Sequence, residues 1–340
     1  MRQSNFWRDT GLGQLFMIGL PGTEVDKDTL SFIDDFGISK FILFSRNASG
    51  GPRQFKRLCA DLKKACMDEG LFPLLAIDQE GGPVRRLSPP DFPDMPSQEE
   101  VRKAMEPETA MKGLANATVQ LLRQYYIDLN LAPVLDICLK GEENVLDSRC
   151  FGSDPEKVAR LGGIYISHLR ENKIMTCAKH FPGIGRVELD PHHHLPVVSE
   201  ERGKIMEEMT PFVEAISRGT DCIMTSHVIY SALDPKNPAT FSPNIATHLL
   251  RNELGFKGVL LTDDLEMKGA LRNMNIGEAA VSALIAGHDL LLICTSKEQV
   301  KRGLDSVQRA FKDGRLSPRR VQEAQNRLSA LVASSWKQPK

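Results

Sequence analysis

The sequence predicts an α/β fold, a single (β/α)8 (TIM) barrel, and three observations predict it. Eight short apolar runs of strand length recur along the chain, amphipathic segments of helical length lie between them, and the runs are continuous rather than alternating. Unbroken apolar runs suit parallel strands covered on both faces, and strands that alternate with helices suit a parallel sheet. A doubly wound sheet would also alternate, but it needs a glycine-rich turn after an early strand, and "GLPGTE" at 19–24 is not one.

The runs are "LFMIGL" (15–20), "KFILFS" (40–45), "PLLAID" (73–78), "LNLAPVLD" (129–136), "IMTCAKH" (174–180), "CIMTSH" (222–227), "GVLLTDD" (258–264) and "DLLLICT" (289–295). Helix starts are marked by Asp154-Pro155, Ser242-Pro243 and Ser317-Pro318, each a capping oxygen before a proline at the first helical position. After Pro155, the residues Val158, Leu161, Tyr165 and Leu169 form one apolar stripe. Gly255 and Gly287 stand where helices should stop. With no internal repeat or linker, the barrel takes up about 12–310 of one domain spanning 1–340, and a last helix over about 318–335 is expected outside it.

The totals exclude several function classes. In 340 residues with 41% hydrophobic and 26% charged side chains, the formal net charge is −1. No global field then favours nucleic acid or an anionic membrane, and no basic run supplies a local one. The N-terminal apolar run is interrupted by Gln14, has no small-residue cleavage site and is too short to span a bilayer. The seven cysteines form no C-x-x-C pair, and several sit inside apolar runs. Reduced, buried thiols and a cytoplasmic location are the expectation. Asn47-Ala48-Ser49 reads as an ordinary loop. No cofactor and no metal are expected, and a monomer is favoured.

Polar groups gather where the apolar runs stop. The third ends in Asp78, the fourth in Asp136, the fifth in Lys179-His180, the sixth in His227 and the seventh in Asp263-Asp264. In a barrel these ends meet at one face, where active sites of this fold lie. The fifth run continues into "FPGIGRVELDPHHH", a stretch with two glycines that reads as a mobile loop at the mouth. Pro191 pushes Asp190 toward extended backbone, in which Asp190 and His192 project to one side. Asp190 would then hold the His192 ring and raise its basicity, a proton-transfer dyad.

Three chemistries compete for this constellation. A metal site would want ligands fixed on several strands, and consecutive histidines on a glycine loop are poorly organised for it. A Schiff base at Lys179 would want desolvation without nearby carboxylates, whereas Asp78, Asp136 and Asp263 would keep it charged. Retaining glycosyl transfer to water wants a carboxylate on one side of the sugar and an acid/base on the other, which Asp263 and the His192–Asp190 pair would supply.

At these residues the chain resembles glycoside hydrolase family 3, in particular its single-domain bacterial β-N-acetylglucosaminidases of peptidoglycan recycling. The resemblance runs nearly the whole length. It is carried by "AIDQEGGPVRRL" (76–87), "LNLAPVLDI" with "SRCFGSDP", "KHFPGIGRVELDPHH", "IMTSHVIYSALDPKNPATFSP" and "GFKGVLLTDDLEMKGA". It implies Asp263 as nucleophile, His192 as acid/base and Asp190 as its support. It further implies that Asp78, Arg86, Arg149, Lys179 and His180 bind the sugar, and His227 is grouped with them. A carbohydrate substrate follows, with a β-glucosidase, a glycoside phosphorylase or a catalytically impaired sugar-binding barrel as the alternatives. The chain departs from the family pattern at Pro83, Cys150, Ile184 and Pro191.

Overall fold

The computed structural model describes residues 3–138, 146–189, 196–271 and 274–335. Eight parallel strands close into a barrel in sequential order: β1 (Phe16–Gly19), β2 (Lys40–Leu43), β3 (Leu74–Ile77), β4 (Leu129–Asn130), β5 (Met175–Phe181), β6 (Cys222–Thr225), β7 (Val259–Asp264) and β8 (Leu290–Ile293). Seven lie inside one of the eight apolar runs, and β5 extends one residue past its own, to Phe181. Closure pairs Phe16 with Leu291 and Ile18 with Ile293. β2, β3 and β8 are buried at every position, because one face of each meets the barrel interior and the other meets helices.

The helix starts follow their caps. Asp154 accepts from the Glu156 N–H ahead of the helix Pro155–Glu171, and the Ser317 hydroxyl accepts from Arg320 N–H at the helix Pro318–Ser335. Ser242 accepts from the Ile245 N–H, at the start of a helix that runs Asn244–Glu253 with wide π-type turns. Gly255 and Gly287 carry φ of 74° and 127°, which only glycine adopts readily.

One feature of the mouth departs from the sequence reading. The segment after β5, expected as a mobile loop, is anchored where the structure describes it. Glu188–Leu189 pairs antiparallel with Pro196–Val198, and that strand pairs with Ile229–Tyr230, which follows β6. Tyr230 Oη donates to Gly183 O at 2.8 Å, and Arg186 pairs with Glu200 at 3.0 Å and Glu208 at 2.6 Å. Gly185 lies so close to the chain after β4 that an added Cβ would stand 1.6 Å from Ile137 O. These bonds are long-range in sequence, so local composition gave no sign of them.

The cysteine expectation also needs correcting. Cys59, Cys66, Cys177, Cys222 and Cys294 are free and buried, but Cys138 and Cys150 are joined in a disulfide. Their spacing of 12 resembles no standard pairing motif, and only the approach of the two segments, with Cα atoms 6.1 Å apart, brings the sulfurs together.

At the opposite end of the barrel, Asp289, the residue before β8, is fully buried. It is held by Arg251 at 2.5 Å, Arg320 at 2.7 Å, Arg327 at 3.0 Å and the Leu260 N–H at 3.0 Å. Arg320 and Arg327 belong to the last helix, so this carboxylate fastens Pro318–Ser335 to the barrel floor. Removing one member of such a cluster leaves uncompensated buried charge. Asp289→Asn should therefore destabilise the fold by about 3–5 kcal/mol in urea unfolding. A change within about 0.5 kcal/mol would mean that water already screens the three guanidinium groups.

Candidate active site

The carboxyl ends of the strands enclose a cavity of about 290 Å³, at the lower end of the size range of small-molecule sites. Asp78, Glu80, Arg86, Arg149, Lys179, His180, Asp263 and Asp264 line it, with Phe44, Val84, Leu131 and Met267 among its apolar walls. A larger cavity of about 620 Å³ opens elsewhere on the molecule, beside the last helix (Gln325, Leu328) and Lys40. Of these two, the smaller gathers several carboxylates with several cations, which makes it the candidate site.

Five side chains form one chain of charge across the smaller cavity. Arg86 Nη2 donates to Asp78 Oδ2 at 2.9 Å, and Lys179 Nζ donates to Asp78 Oδ1 at 2.8 Å. The same ammonium reaches Glu80 Oε1 at 2.6 Å. Arg149 then grips Glu80 with both edges of its fork, at 2.8 and 2.9 Å. Burial alone would raise Asp78, but the charges and hydrogen bonds of Lys179 and Arg86 outweigh it and hold the carboxyl at about 2. Glu80 is lowered for the same kind of reason, its burial overcome by Lys179 and Arg149. Lys179 itself is raised, because Asp78 and Glu80 overcome the desolvation that would lower it. It is a fixed cation, which disfavours the Schiff-base reading.

Lys179 and His180 both face the cavity although they are consecutive on β5. Strand alternation would separate them. Here the β5–β6 register slips, with Met224 opposite Lys179 and Thr225 opposite Phe181, and this irregularity re-aims the strand end. The Lys179–His180 and Phe181–Pro182 peptide bonds are cis. Asp136, fully buried, does not join the charge chain. Its carboxylate takes the His180 ring at Nδ1 (2.8 Å) and the N–H groups of His180 (3.3 Å) and Ile184 (2.9 Å). With Nδ1–H donating to Asp136, the His180 ring is fixed in orientation.

The two aspartates ending β7 have different employment. Asp264 accepts from the N–H groups of Glu266 at 3.1 Å and Cys294 at 3.3 Å, so its carboxylate serves the turn into β8. Burial, with the nearby Glu266 and Asp263 charges, pushes it up to about 6 despite those hydrogen bonds. Asp263, half-buried, accepts from the adjacent Asp264 N–H at 2.7 Å. Among the described residues no cation pairs with Asp263, so this carboxylate faces the cavity uncommitted.

His227 does not line the cavity. Its Nε2–H donates to Asp264 O at 3.0 Å, its Nδ1 meets the Thr240 hydroxyl at 2.8 Å, and its ring stacks on Phe241. Burial lowers its pKa, and these contacts brace the β7 end. Asp190 and His192 lie outside the described residues. Glu80 was missed by the sequence reading. It stands two residues after Asp78, and extended backbone puts such a pair on one side, so that spacing was the available signal. Among the described residues no group of three or more His, Cys, Asp or Glu side chains is arranged to hold a metal ion.

The charge chain makes a prediction about pH. Asp78 is depressed to about 2, so its native-state contribution is present above its unfolded value near 4 and is lost as pH falls toward 2. Lys179→Met removes the central cation and lets Asp78 and Glu80 bind protons at higher pH. The variant should be least stable relative to wild type above about pH 5, with the gap narrowing on acidification. Thermal unfolding from pH 3 to 8 reads this; a gap that widens toward low pH would contradict the assignment.

Comparison with known proteins places this geometry. The Glycosyl hydrolase family 3 N terminal domain matches residues 8–331. A Beta-hexosaminidase of Psychromonas ingrahamii is 35% identical over 297 residues, 86% of this chain and 86% of that protein. The structure of a glycoside hydrolase family 3 β-N-acetylglucosaminidase from a Paenibacillus species superposes with a TM-score of 0.89 at 35% identity, covering 97% of this chain and 64% of that one. That of a β-N-acetylhexosaminidase from Beutenbergia cavernae superposes with a TM-score of 0.85 at 30% identity, covering 95% of this chain and 98% of that one. Matched in sequence and in fold over nearly its whole length, the chain belongs to glycosyl hydrolase family 3.

Proposed function

We propose that the chain is a retaining glycoside hydrolase that releases terminal, non-reducing β-linked N-acetylglucosamine, with muropeptide fragments of peptidoglycan in the cytoplasm as its substrate class. The observation that carries this is the Asp263 carboxylate, with no cation among the described residues, facing a cavity whose other wall is an ion-paired chain of charge. Relatives named β-hexosaminidase and β-N-acetylglucosaminidase support the choice of sugar.

In this reading the Arg86–Asp78–Lys179–Glu80–Arg149 chain and His180 hold sugar hydroxyls. Their partners are already aligned before substrate arrives, so little reorganisation is needed. Asp263 attacks the anomeric carbon while His192 gives its proton to the leaving oxygen, forming a glycosyl-aspartate. His192, now neutral, takes a proton from water, and the water displaces Asp263 with net retention. Asp190 stabilises the imidazolium form of His192. The roles of His192 and Asp190 rest on the Asp-Pro-His spacing and the family resemblance.

Two substitutions test the roles. Asp263→Ala should abolish turnover of 4-nitrophenyl N-acetyl-β-glucosaminide, and a slow fluorinated substrate should label Asp263 in the native protein. A label found on Asp264 or Glu266 by mass spectrometry would move the nucleophile. His192→Ala should lose about two to four orders of magnitude on poor leaving groups. It should lose far less on activated aryl glycosides, so equal losses on both would remove the acid role. The 4-nitrophenyl glucoside, run in parallel, should be the weaker substrate.

A further inference from the structure

The seven cysteines fall into two chemical classes. Burial pushes the five free thiols up, Cys59 and Cys66 to about 12, and Cys177, Cys222 and Cys294 upward as well. A thiol so disposed has almost no thiolate at neutral pH and is inert to exchange. The Cys138–Cys150 bridge is therefore the place where this chain meets redox chemistry. A lone disulfide in a chain of otherwise free thiols fits a responsive bond better than a structural staple.

Its position ties it to the sugar site. Cys150 directly follows Arg149, which ends the short 3-10 turn Asp147–Arg149 and grips Glu80. Cys138 stands two residues beyond Asp136, which fixes His180 and the Ile184 N–H. Cys138 N–H donates to Gly152 O at 3.0 Å, so the two segments run side by side at the bridge. Leu146 and Ile184 pack around the sulfurs in an apolar cluster separate from the main core. Cys150 and Ile184, two of the positions at which the sequence departs from its family, thus meet at one spot.

We propose that the Cys138–Cys150 disulfide is a positioning clamp for the sugar site, and that its reduction by thiols weakens sugar binding. The inference rests on the glycosidase reading for its ligand. Cys138 keeps 7% exposure where Cys150 has none, so an external thiolate attacks the Cys138 sulfur. The S–S bond breaks, and Cys150 leaves as a thiolate and takes up a proton. A second external thiol then attacks the mixed disulfide, freeing Cys138 as a thiol and leaving the external pair oxidised. Two electrons pass from two small thiols to the bridge. Arg149 stays held by Glu80 and by its own N–H to Leu146 O at 2.7 Å, so the loss is partial.

The test compares air-oxidised protein with protein treated with dithiothreitol. Native alkylation should modify Cys138 and Cys150 only after reduction. KM for 4-nitrophenyl N-acetyl-β-glucosaminide should then rise about three- to ten-fold, with kcat within about two-fold, because Arg149 binds ground and transition states alike. The Cys138→Ser/Cys150→Ser variant should show the raised KM without any response to dithiothreitol. Hydrogen exchange over residues 146–152 should quicken on reduction, a readout that needs no turnover. Bridge opening with unchanged KM would overturn the proposal, as would unchanged exchange, or alkylation of both cysteines in untreated protein. Absence of turnover in both redox states would count against the glycosidase reading alone, and exchange would still judge the clamp.

Discussion

The active end of this barrel depends on one buried ammonium group. Lys179 sits between Asp78 and Glu80, almost wholly removed from water, where an unpaired charge would be costly. Two carboxylates around one lysine are themselves unbalanced, and Arg86 and Arg149 complete the set at either end. The result joins β5 to the segment after β3 and to the loop after β4. Shape and charge of the cavity are thus set by the same bonds.

Around this chain the other polar groups take two kinds of work. Asp136, Asp264 and His227 are turned toward backbone and hydroxyl groups and hold the strand ends in place. Among the described residues no cation pairs with Asp263. Neighbours Asp263 and Asp264 differ in what holds them: the Cys294 N–H, from beyond the turn, takes the Asp264 carboxylate, while Asp263 accepts only from the adjacent Asp264 N–H among the described residues.

The two ends of the barrel use charge differently. At the floor, three arginines surround Asp289, and two of them fasten the last helix. At the mouth, the disulfide and a small sheet of hydrogen-bonded segments brace the loops that carry Arg149 and Ile184. Loops that must present chemistry are held by bonds between loops, since the barrel itself reaches only to their roots.

Much of this was legible from residue order alone. The eight apolar runs, the capped helix starts and the glycines that end helices are local signals, and each reports local structure. Asp78, Lys179, His180 and Asp263 were legible as a set because strand ends in a closed barrel must converge, whereas Arg86 and Arg149 came only with the family resemblance. Which of them pair with which was not legible. Lys179 pairs with Glu80 as well as with Asp78, Asp136 takes His180 instead, His227 binds the backbone at the end of β7, and two cysteines meet across a loop. Such contacts join residues far apart in sequence, and a strand irregularity or a loop's path decides them. Periodicity fixes which face a side chain takes within its own element; only the packed chain decides what stands opposite.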